Sequence, residues 1–153
     1  MLELGAVWNR YAGPLFRTAA VGKVEDDLRK MYEACVSALE ATLEATKPGA
    51  RSQDVQKAAQ DVINFYGYEE NFRKRVGYCF GVGFPPDWGQ GYIMDLKHHE
   101  ERELKTGIVF HIAPAVREMG KELGLNGPFE VDSATGKPYQ DTLAAAQVSQ
   151  TAD

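Results

Sequence analysis

Two residues of this chain have the type and setting to do acid–base work, and each stands inside an apolar run. His111 lies within GIVFHIAP, among strongly apolar neighbours. A lone histidine in such a strand is first a satisfied core residue, and it acquires chemistry only through a second group that meets it. Glu3 lies within MLELGAVW. Strand alternation sends Leu2 and Leu4 to one face and Glu3 to the other. On a solvent-facing strand Glu3 is an unremarkable carboxylate; lining a cleft, it is desolvated, its pKa rises, and it becomes a candidate base or nucleophile. The residues alone leave both readings open.

Other suggestive spellings carry less. His98-His99-Glu100-Glu101 does not spell a working zinc site, because a helical site needs a second histidine four residues after the first, and HEERE lacks it. Adjacent side chains on a helix do not face one another either, so a solvated turn is expected there. Gly77, Gly81 and Gly83 are not followed by GK[ST], and Gly136-Lys137 runs into Pro138 without a preceding glycine at phosphate-loop spacing. The two cysteines, Cys35 and Cys79, form no CxxC pair and are expected as free buried thiols of a reducing cytoplasm.

The elements that must hold these residues follow from pattern. Residues 2–8 read as a strand entering a turn at Asn9-Arg10, and 15–21 as a second strand stopped by Gly22. From Val24 the period changes: Leu28, Met31, Cys35, Ala38, Leu39, Leu43 and Thr46 line one helical face. Glu25, Asp26 and Asp27 suit its positive end, and Lys47-Pro48-Gly49 stops it. A second helix is expected from a Ser52 cap, with Val55, Ala58, Ala59, Val62, Ile63 and Tyr66 inward and Gly67 closing it. Residues 75–84 (RVGYCFGVGF) suit a strand approached closely by other backbone. Residues 85–106 read as a long irregular excursion, 107–113 as a buried strand ended by Pro114, and 132–153 as an aperiodic tail. Hairpin, two helices, then strands is an α+β order.

With 153 residues, one domain with a real core is expected. A net charge of −5 argues against a backbone-tracking nucleic-acid binder. No apolar run approaches the roughly 18 residues a membrane span needs, and residues 1–10 lack the basic-then-apolar order of a signal peptide.

Taken together, three segments resemble the creatinase, prolidase and Xaa-Pro aminopeptidase superfamily. ELGAVWNRYAGPLFRTAAVGK looks like its hairpin and R-T-x-x-x-G exit into a long helix. RVGYCFGVGFPPDWGQG is similar to its glycine-rich segment, and ELKTGIVFHIAP to its L-x-x-G-M-V-F-x-x-x-P strand; ATKPGARSQDV matches the helix junction. The agreement runs from about residue 2 to 116.

The resemblance implies a partial pita-bread fold, a curved antiparallel-rich sheet covered by two helices, in which residues 1–131 form the C-terminal part of the catalytic domain. Ordinary members hold two divalent metals with two aspartates, a histidine and two glutamates. Those positions fall on Glu3, Pro14, Tyr78 and Ala113, and near Glu130. Proline and alanine offer no side-chain ligand and tyrosine replaces imidazole poorly, so no metal and no other cofactor is expected. RY-x-x-P-L-x-R, GY-x-x-G-x-G-x-PPDWG and F-H-x-x-P resemble the ectoine-hydrolase-like branch. That likeness implies hydrolysis of a C–N bond in a small amide, dipeptide or cyclic amidine. Glu3 is then nucleophile or base and His111 the acid/base. Arg10 or Arg17 would hold a substrate carboxylate, Tyr11 would orient the substrate, and Tyr78 and Trp88 would wall a small ring. An inactive fragment or binding module of the same fold is the alternative, and a metal-dependent Xaa-Pro peptidase a third. The chain is expected as a cytoplasmic homo-oligomer with a small-molecule or dipeptide substrate, no nucleic acid and no membrane. Its start at the hairpin suggests a piece of a longer polypeptide.

Overall fold

The computed structural model describes residues 2–19, 22–72, 75–84, 87–119 and 128–132, excepting the side chains at 2–3, 117–119 and 128–132. The chain opens with a hairpin of β1 (Leu2–Trp8) and β2 (Tyr11–Arg17), paired without interruption from Leu2↔Arg17 to Trp8↔Tyr11. The turn is the two residues Asn9 (φ 48°) and Arg10 (φ 68°), both left-handed, as a two-residue hairpin requires. The second strand therefore begins at Tyr11 and not at residue 15, because the turn closes as tightly as the geometry allows.

Helices α1 (Asp26–Ala45) and α2 (Ser52–Phe65) follow. Met31, Cys35, Ala38 and Leu39 are buried on α1, and Val55, Ala59 and Ile63 on α2, as the periodicity requires. Gly67, at φ 84°, takes the left-handed position that ends α2. Ser52 does not cap this helix. It is the first helical residue, wholly buried, and its hydroxyl donates to the Asp95 carbonyl at 2.6 Å. The first helical N–H groups are satisfied by backbone instead: Ser52 donates to the Arg102 carbonyl (3.0 Å) and Gln53 to that of Glu100 (2.9 Å).

The long strand β3 (Arg75–Phe84) organises the sheet. It meets β2 at Tyr11↔Val82, β4 (Asp87–Gly89), β5 (Asp95–Lys97) and β6 (Phe110–Ile112), all antiparallel. Residues 85–106 are thus not irregular throughout, since two three-residue strands lie within them. The strand expected at 107–113 is shorter, with a turn at 106–107 and β6 covering Phe110–Ile112; it ends before Pro114, and a separate strand, β7 (Ala115–Met119), then pairs with β8 (Pro128–Asp132). Asp132, expected in the tail, belongs to β8; the rest of that tail, with Gly136-Lys137, lies outside the described residues.

Both helices cover one face of β3, β5 and β6. Val76, Cys79, Leu96, Phe110 and Ile112 join the helix residues in one core. Cys35 and Cys79 are buried thiols not joined in a disulfide, as expected. The other face of the same strands carries the site.

Candidate functional site

Tyr78 is the Cα partner of Asp95 on β5 and of His111 on β6, so β5 and β6 flank β3 and the three residues form one row. Residues directly opposite on neighbouring strands share a face. The next row, Leu96–Gly77–Ile112, belongs to the helix-covered side. Alternation therefore places the polar row on the face away from the helices.

Close approach is what makes the row work. A Cβ at Gly77 would come 2.6 Å from the His111 carbonyl oxygen, so only glycine lets β3 and β6 pair this tightly. On the polar face, the Tyr78 hydroxyl lies 2.9 Å from His111 Nδ1 and accepts the indole N–H of Trp88 at 3.1 Å. The Phe16 ring meets the imidazole edge-on at 4.9 Å between centroids. His111 is 4 % exposed. Burial, with the nearby positive charge of Arg75, holds its pKa down at about 4, so the ring is neutral near pH 7. The Arg75 guanidinium sits over the Tyr78 ring at 4.8 Å and pairs with Asp95 at 2.9 Å; Lys97 reaches the other Asp95 oxygen at 3.3 Å.

Trp88 separates two clefts. One, of about 520 Å³, is lined by Arg75, Tyr78, Asp87, Trp88, Tyr92, Asp95, Lys97 and the backbone of Gly89 and Gly91. The other, of about 480 Å³ and mostly apolar, is lined by Val7, Arg10, Ala12, Phe84, Asp87 and Trp88. Gly5 faces the indole, where a Cβ would stand 3.0 Å from the six-membered ring.

Of the residues expected at a site, Tyr78, Trp88 and His111 come together, through hydrogen bonds as well as an aromatic wall. Arg10 projects from the hairpin turn, 4.8 Å over the Phe84 ring, into the second cleft. Tyr11 packs edge-on to Phe80 at 6.0 Å, while the Arg17 guanidinium donates to the Phe16 carbonyl at 2.6 Å. Both alternate along β2 with the buried Ala12, Pro14 and Phe16, so they do not share the His111 side of the strand. The Glu3 backbone pairs with Phe16, and Gly5 two residues on meets Trp88; the Glu3 side chain lies outside those described. His98 and His99 are exposed, as a solvated turn requires. Asp87, Arg75, Asp95 and Lys97 escaped the sequence reading. No local spacing marks the last three, which only strand pairing brings together.

The metal positions of the ordinary family fit poorly here. Pro14 is buried and offers no donor, Ala113 packs with Phe16, and the Tyr78 hydroxyl is engaged by Trp88 and His111. Among the described residues no group of three His, Cys, Asp or Glu side chains is arranged to hold a metal ion. The Glu130 side chain lies outside those residues.

A sheet of this order, with two helices on one face and a polar row on the other, has known counterparts. The model of metallopeptidase family M24 matches residues 1–143. The protein belongs to this family. The M24 chain is 32% identical over 123 residues to ectoine hydrolase of Halomonas elongata, covering 79% of this chain and 30% of that one. It is 31% identical over 116 residues to the Xaa-Pro dipeptidase of Pyrococcus furiosus, covering 76% and 32%. The solved dipeptidase of Pyrococcus horikoshii superposes with a TM-score of 0.69 at 29% identity, over 85% of this chain and 33% of that one. The fold is that of the pita-bread superfamily, as expected, and the chain spans about a third of the length of these M24 relatives. Among the described residues no helix is long and apolar enough to cross a membrane.

Proposed function

We propose that the protein takes part in metal-independent hydrolysis of a C–N bond in a small amide, dipeptide or cyclic amidine, with Glu3 as nucleophile or base and His111 as acid/base. The observation that carries this reading is the bonded set Trp88–Tyr78–His111, built on the tyrosine that the sequence resemblance aligns with a metal-binding histidine of ordinary members. A tyrosine fixed between two partners is a positioning group, and it holds a histidine that burial keeps neutral near pH 7. The register adds support, since Glu3 pairs with Phe16, whose ring packs on that imidazole. In the reaction, the water hydroxyl adds to the substrate carbon while Glu3 takes its proton. The C–N bond then breaks, and the proton reaches the leaving nitrogen through His111. The substrate is a small molecule or dipeptide, and the protein acts as a cytoplasmic homo-oligomer.

Likeness to ectoine hydrolase favours the cyclic amidine, and likeness to Xaa-Pro dipeptidases the dipeptide. The test is kinetic. Purified Glu3→Gln and His111→Ala variants are expected to lose about two orders of magnitude or more in kcat on the better of the two substrates. Unchanged turnover in either variant rules the scheme out. A second reading, a binding module without turnover, is favoured by Pro14 and Ala113 standing at former ligand positions. It predicts saturable binding of the same compounds with no product from the wild-type protein.

A further inference from the structure

We propose that Arg75 and Lys97 form an anion subsite that takes the carboxylate of a small substrate in the cleft beside Tyr78. This rests on the hydrolytic reading above and names the recognition element that reading lacks.

Two cations share a single carboxylate here. Arg75 and Lys97 are Cα partners across β3 and β5, and their head groups converge on Asp95 at 2.9 and 3.3 Å. Each side chain remains about half exposed, at 49% and 46%. A guanidinium has five N–H donors and an ammonium three, so one contact each to Asp95 leaves donors directed at the cleft. Asp87, the other carboxylate of the wall, accepts the Gly89 N–H at 2.8 Å. Gly91 presses its backbone against the pair: a Cβ there would meet Asp95 Oδ1 and stand 3.0 Å from Arg75 Nη1. The turn thus leaves the cationic end of the cleft open where any side chain would fill it.

Position makes this a subsite and not a surface ion pair. The guanidinium stacks on the Tyr78 ring that lines the cleft and whose hydroxyl bonds the buried His111, so a carboxylate held by Arg75 sets the rest of its molecule against Tyr78, the group that links the cleft to the imidazole. An arriving anion also offsets the positive charge that helps keep His111 unprotonated, so binding and proton uptake reinforce each other.

The experiment is an NMR titration of the intact chain with N-acetylglycine and with its uncharged amide, following the two indole N–H signals, Trp8 and Trp88. N-acetylglycine is expected to shift the Trp88 signal saturably. The amide, and N-acetylglycine on Arg75→Met or Lys97→Met, should bind about tenfold more weakly or worse, as loss of one charge-assisted contact implies. Each variant leaves Asp95 one cation, and an unchanged dispersion of amide signals confirms folding. Equal binding of acid and amide, no saturable shift, or affinity lost only in Arg10→Met overturns the proposal; the last outcome moves the anion to the apolar cleft. Glu3→Gln separates the two readings: it is expected to abolish turnover yet bind N-acetylglycine normally. Turnover surviving in Glu3→Gln defeats the chemistry and leaves the subsite standing.

Discussion

At the scale of single residues, His111 ties stability to pH with a definite sign. Its folded pKa, about 4, lies below the ordinary 6.5, so the unfolded chain binds the proton more readily between those values. Stability is therefore complete above pH 6.5 and declines as pH falls towards 4, by about 2 kcal/mol between pH 6.5 and 5. His111→Gln should flatten that slope in urea unfolding, and an unchanged slope contradicts the assignment. Tyr78→Phe deprives both His111 Nδ1 and the Trp88 indole of their shared partner, at a cost of about 1–3 kcal/mol. Chemical denaturation of that variant measures it directly. Cys79 gives a third handle: burial raises its thiol pKa, and the thiol donates to the Gln90 carbonyl at 3.0 Å. Ellman's reagent at pH 7 should find neither cysteine until the chain unfolds.

At the scale of elements, the site depends on how closely β3 approaches β6. Gly77→Ala sets a methyl group against backbone, not against a movable side chain, and should cost upwards of about 2 kcal/mol. A thermal melt equal to wild type would contradict the tight pairing. The same elements show what a sequence can and cannot reveal. The helices were legible because apolar residues recur at three and four steps over 20 and 14 residues. β3 and β6 were legible from glycine-rich and apolar runs, which marked His111 and Tyr78. β4 and β5 were not, since three residues carry no period and these strands exist only by pairing with β3. The start of β2 was misplaced because an Asn-Arg turn lacks the glycine that marks a two-residue hairpin. Ser52 has the type of a helix cap, yet the strand-like contacts of residues 100–102 supply that service and free its hydroxyl for Asp95. Arg75, Asp95 and Lys97 were invisible for the same reason as β5.

At the scale of the molecule, the described sheet ends at β1, beyond which no described strand lies. Leu4, Val7 and Trp8 on that strand are 51%, 63% and 81% exposed. An open edge with apolar side chains tends to acquire a partner strand. Self-association is the expected outcome, and Val7→Lys should weaken it in sedimentation velocity; a wild-type monomer at all concentrations contradicts this. On the proposed mechanism, a tyrosine-held histidine and a carboxylate do here what a metal pair does in ordinary family members. Turnover of a cyclic amidine or Xaa-Pro dipeptide after exhaustive treatment with a chelator decides between the two chemistries. Full activity is expected in the treated wild-type protein, and a loss of about two orders of magnitude or more in His111→Ala. Activity that vanishes with the chelator and returns on adding a divalent cation contradicts the proposed mechanism.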